Sequence, residues 1–120
     1  MSKHTFVHIE LSARDPKKAA DFYAKVFEWS IQEIPEMNYI MFDEGGGIGG
    51  GFNPFEADGI EPGDVILYIS TEDIEASLAE IEAAGGKTLR EKTEIPGMGW
   101  YAFFADPSGN KLGLYTGMAG

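Results

Sequence analysis

The feature that most restricts the fold of this chain is a repeated order of elements. Strand, helix, strand, strand, strand is read once and then again at an offset of 58 residues, which sets Asp73 on Asp15 and Ile66 on His8. Residue identity across the offset is low, so the repeat rests on element order and spacing. Residues 5–12 alternate, with Val7, Ile9 and Leu11 on one face and Phe6, His8 and Glu10 on the other, the period of a strand with one face turned to a core. Asp15 followed by Pro16 is a helix cap and a first helical position that needs no N–H. Ala19, Phe22, Tyr23, Val26 and Phe27 then recur at three- and four-residue spacing, which predicts a helix ending near Trp29. Residues 30–34, 38–43 and 48–52 are short strand segments separated by Pro35 and by Gly45, Gly46 and Gly47.

Module one thus spans about 5–53, and residues 54–63, with Pro54, Gly59, Pro62 and Gly63, read as a linker. Module two spans about 64–116: a strand at 64–71, a helix carrying Ile74, Leu78 and Ile81 and closed by Gly85 and Gly86, and strands at 88–92, 100–105 and 111–116. Asp106, Pro107, Ser108, Gly109 and Asn110 form the turn before the last strand.

Length and charge narrow the function classes. A chain of 120 residues with 43% hydrophobic content holds one domain. A formal charge of −11 repels phosphate backbones and anionic lipid surfaces, so nucleic acid and membranes are not expected partners. No apolar run approaches the roughly 20 residues of a spanning helix. The first residues lack the pattern of a secretory signal and there is no cysteine, so a soluble, cytoplasmic protein is expected, and a metal would have to be held by His, Asp, Glu, Gln or Tyr.

Two stretches carry a family resemblance. His8, Ile9, Glu10 and Leu11 lead to Asp15 and the aromatic pair Phe22 and Tyr23, and Phe104 to Leu114 contains the D-P-S-G-N turn before the last strand. With the repeat between them, the chain resembles the vicinal oxygen chelate superfamily: glyoxalases, bleomycin-resistance proteins and extradiol dioxygenases. The resemblance implies an α+β fold of two β-α-β-β-β modules whose strands form a cupped, mixed sheet around a central cavity, with the helices outside. It also implies a small organic ligand in that cavity, and homodimerisation.

In the metal-using branches the ligands come from the first and last strands of each module. Carried onto this sequence, those positions are His8, Ile66, Gly113 and a residue near Gly50. Of these only His8 can ligate, with Glu10 as a neighbouring donor, and one imidazole leaves most of a divalent ion's coordination to water. The expected function is therefore small-molecule binding without a tightly held metal, with no cofactor. The alternative is a metal-dependent or His8/Glu10-dependent lyase, isomerase or dioxygenase acting on a small oxygenated substrate, in which Glu10 bonds to His8 and raises its basicity. A residual histidine satisfied by a neighbour is the plainer reading of His8.

Phe6, Gly50, Phe52, Ile66, Tyr68, Trp100, Gly113 and Tyr115 are the candidate ligand-lining residues, the glycines as space and the aromatic residues as walls. Tyr39 and Tyr101 are also strand aromatics, and for all of these strand aromatics core or interface filling is the plainer reading, with Tyr68 and Tyr115 favoured as lining by sharing the inward parity of Ile66 and Gly113. Gly45 to Gly51 matches G-x-G-x-x-G but leads into Phe52, Asn53 and Pro54 instead of a helix, so the dinucleotide reading is discarded. Met98, between Gly97 and Gly99, reads as a loop or as a flap over the cavity.

Overall fold

The computed structural model describes residues 4–118. The elements follow the repeated order: β1 (Phe6–Ser12), α1 (Pro16–Phe27), β2 (Ser30–Ile34), β3 (Tyr39–Asp43) and β4 (Gly50–Asn53), then β5 (Val65–Ser70), α2 (Ile74–Ala83), β6 (Lys87–Ile95), β7 (Gly99–Ala105) and β8 (Lys111–Gly117). This is the α+β class expected. The chain divides into two compact units, His8–Ile66 and the residues from Leu67 onward together with those up to Val7.

In the first unit the strand order is β2-β3-β4-β1, with β4 and β1 parallel and the other pairs antiparallel. Alternation along β1 turns Ile9 and Leu11 toward α1, where they pack against Ala20, Ile40, Phe42 and Phe52. His8, Glu10 and Ser12 take the opposite face. The Asp15 carboxylate accepts the Lys18 N–H at 3.1 Å and caps α1. The helix ends two residues before Trp29 because Glu28 turns left-handed, its N–H donating to the Ala24 carbonyl. Trp29 then lies flat between Phe42 and Tyr23, with ring centroids 4.6 and 4.8 Å away. The segment expected to be a linker is pinned in place: Ile60 is buried, Ser12 donates its N–H to Asp64 and Gly63 donates back to Ser12.

The second unit repeats the plan as β5-β8-β7-β6, with β5 and β8 parallel. Asp73 caps α2 through the Ala76 N–H, as Asp15 caps α1. Gly85 and Gly86 close it: Gly85 donates to Glu82, and Gly86 donates to Ile81 with Gly85 at φ +98. Ile74, Leu78, Ala102, Phe104 and Leu114 form the helix-side core. β6 runs past the expected 88–92, and two register irregularities beside Arg90 let it follow β7 to Ile95.

Candidate functional site

The β1 face turned away from α1 carries His8, Glu10 and Ser12, and Glu10 and Ser12 are only 8% exposed. A buried carboxylate needs a partner, and the chain supplies one from 29 residues away: the Tyr39 hydroxyl donates to Glu10 Oε2 at 2.8 Å. The Tyr39 hydroxyl oxygen also lies 2.9 Å from His8 Nε2. Since the hydroxyl proton points at Glu10, the imidazole contact uses Nε2–H, and Nδ1 is left as the acceptor nitrogen of the neutral ring. The rings of His8 and Tyr39 lie nearly parallel, 6.4 Å apart.

Local geometry explains why Tyr39 can reach so far. A 3-10 turn at Pro35–Met37 ends in left-handed Asn38, which delivers Tyr39 as the first residue of β3. Between β3 and β1 lies β4, whose Gly51 pairs with Met41 on one side and with Glu10 on the other. A Cβ at Gly51 would overlap the Tyr39 hydroxyl and ring, so the missing side chain is the passage across β4.

The environment sets the protonation states. Burial lowers the His8 pKa from its ordinary 6.5. Burial, then the Glu10 charge and the hydrogen bond to it, push the Tyr39 pKa far above its ordinary value, so the phenol remains a donor at any physiological pH. The expected pair of His8 and Glu10 thus has the Tyr39 hydroxyl between its members, and burial acts on the imidazole in the direction opposite to a carboxylate's pull. Ser12 completes the face with a buried hydroxyl that has no hydrogen-bond partner among the described residues.

In the second unit the face opposite α2 carries Tyr68, Tyr101, Phe103, Gly113 and Tyr115. Tyr68 pairs with Gly113, and a Cβ there would overlap its ring. Tyr68 also packs against Phe103, which touches Tyr101. Tyr115 donates to the Met98 carbonyl at 2.6 Å and ties the loop that the sequence offered as a flap.

The residues expected to line one ligand wall therefore separate. Phe52 is fully buried in the α1-side core and Trp100 packs on the α2-side core, both on the wrong face of their strands. Gly50 pairs with Ile9, and a Cβ there would meet the Ile9 backbone and the Phe42 ring, so Gly51 is the glycine on the His8 face. Ile66 is buried and Phe6 is exposed. The spaces at Gly51 and Gly113 are taken by tyrosine rings. Tyr39 is the site residue the sequence reading did not single out, because only the β3–β4–β1 register brings it to β1.

The donors on the β1 face do not suit a divalent ion. Gly51 offers none, His8 Nε2 and Glu10 Oε2 are both engaged by Tyr39, and among the described residues no group of three or more His, Cys, Asp or Glu side chains could hold a metal. Nor is any helix of the described residues long and apolar enough to cross a membrane.

Comparison with known proteins agrees with this fold. The family model described as Glyoxalase/Bleomycin resistance protein/Dioxygenase superfamily matches residues 5–114. The anthracycline biosynthesis protein DnrV of Streptomyces peucetius is 26% identical over 88% of this chain and 44% of its own length. The putative glyoxylase CFP32 of Mycobacterium tuberculosis is 30% identical over 88% of this chain and 41% of its own. The chain thus spans less than half the length of these relatives. Methylmalonyl-CoA epimerase from Mycobacterium tuberculosis has the same fold, with a TM-score of 0.67 at 13% identity, covering 99% of this chain and 93% of that one.

Proposed function

Because the chain belongs to the glyoxalase, bleomycin resistance protein and dioxygenase superfamily, we propose that it binds a small organic molecule at the β1 face of His8, Glu10 and Ser12, without a tightly held metal ion. The observation that carries this reading is the buried Ser12 hydroxyl, which has no hydrogen-bond partner among the described residues, beside the His8–Tyr39–Glu10 chain. An unmet buried hydroxyl costs about 1–3 kcal/mol, and such groups persist where something outside the fold completes them. The relatives' names suggest which compounds to try first: polycyclic aromatics and acyl-CoA thioesters, beside glycopeptides. A ligand present at 100 times its Kd adds about 2.7 kcal/mol to stability, a shift easily seen by thermal melting. A panel of these classes that leaves Tm unmoved, or one metal per chain in protein dialysed without chelator, would refute the proposal.

A second reading is favoured by one observation. His8 is held neutral by burial and oriented by Tyr39, the state a general base requires, so a His8-dependent isomerase or lyase is the alternative. His8→Ala would then abolish turnover of a bound compound while sparing the fold. Homodimerisation belongs to the same proposal. Exposed Phe22, Val26 and Phe27 on α1 support it, and light scattering after gel filtration tests it.

A further inference from the structure

The Tyr39 hydroxyl stands between His8 and Glu10. It is 2.9 Å from the imidazole Nε2 and 2.8 Å from the carboxylate Oε2. An ion held by the same two atoms on the Tyr39 side, at the usual bond length of about 2.0–2.2 Å, would overlap the hydroxyl, so hydroxyl and ion exclude one another. Any third protein donor would have to come from a neighbouring strand on this face. The register supplies one such position, Gly51, directly across from Glu10. That position is bare, and it has to be, because even a methyl group there would overlap Tyr39.

We infer that Tyr39 is a built-in plug: its phenol occupies a latent divalent-cation position between His8 and Glu10, and the bare backbone at Gly51 is the structural condition for the plug. This inference rests on the metal-independent reading above and supplies its cause. A protonated phenol can replace a cation here because it donates to the buried carboxylate and accepts from the half-buried imidazole, without a net positive charge. The arrangement also ties two sequence positions together, since a donor side chain at position 51 and a tyrosine at position 39 cannot share the space.

The test uses cobalt(II) alone as the probe, on the full chain, by its visible d–d absorption and by calorimetric titration. The variant Tyr39→Ala/Gly51→His removes the plug and adds an imidazole opposite Glu10. Expected is cobalt affinity about 10- to 100-fold above that of the wild type, the range over which metal sites respond to a supporting group, with bands of low-symmetry cobalt coordination. Cobalt binding to the wild type as tightly as to the variant would overturn both this inference and the metal-independent reading. A variant that keeps the wild-type circular dichroism but binds no more tightly than a weak-binding wild type would overturn the plug alone. Should the variant not fold, a double-mutant cycle decides: Gly51→Ala is expected to lower Tm beside Tyr39 and to be nearly silent beside Tyr39→Ala, and equal effects in both backgrounds would refute the coupling.

Discussion

Replacing Tyr39 by phenylalanine leaves the ring over Gly51 and takes away only the hydroxyl, which makes the His8–Tyr39–Glu10 chain measurable. Two hydrogen bonds go with it, at 2.8 Å to Glu10 and 2.9 Å to His8. The first is charge-assisted and contributes about 1.5–3 kcal/mol, the second about 0.5–1.5 kcal/mol. Glu10 is buried, so water does not simply replace the lost donor, and a loss of about 2–4 kcal/mol is expected. For a domain of this size 1 kcal/mol moves Tm by about 4 °C, which puts the fall at about 8–16 °C. Tyr115→Phe is the internal control. It removes one hydroxyl of the same chemistry, whose 2.6 Å bond to the Met98 carbonyl lies in an exposed position, so its effect should stay near or below about 1 kcal/mol. Scanning calorimetry of the three proteins in one buffer compares them directly. If Tyr39→Phe melts within about 2 °C of the wild type, or above Tyr115→Phe, the chain contributes little to the fold and the reasoning fails.

Three further outcomes follow from the same geometry. Gly113→Ala forces a methyl group into the Tyr68 ring and should cost about 1–3 kcal/mol in urea titrations, as overpacking does; an unchanged midpoint would mean that the ring moves aside freely. Ser12→Ala removes a buried hydroxyl with no partner among the described residues and should leave stability unchanged or raise it by up to about 1 kcal/mol while weakening ligand binding, whereas a clear loss in the ligand-free protein would reveal a bound water or another partner. Burial lowers the folded-state pKa of His8 below its ordinary 6.5, so as pH falls through 6.5 the unfolded chain takes up a proton that the folded chain does not. Stability should therefore drop from pH 6.5 down to the folded pKa, and His8→Gln should flatten that part of the curve of urea midpoint against pH; parallel curves would contradict the assignment.

Much of the fold was legible because its signals are local. Period-two alternation placed His8 and Glu10 together on one face of β1, Asp15 and Asp73 announced the two helices, and Gly85 and Gly86 closed the second, each acting within one turn or strand. The family resemblance read from the opening and closing motifs stands with the match over residues 5–114. Which residues share a surface was not legible in the same way. Phe52 and Trp100 look as able to line a ligand wall as Tyr68 does, and Gly50 looks as open as Gly51, because a glycine run carries no side-chain pattern and a one-residue slip of register exchanges the two faces. The sequence by itself determined the order of elements and the polar face of β1. Only the tertiary structure decided that Tyr39 crosses β4 at Gly51 to join His8 to Glu10, because that contact depends on the pairing of three strands brought together from across 44 positions of chain.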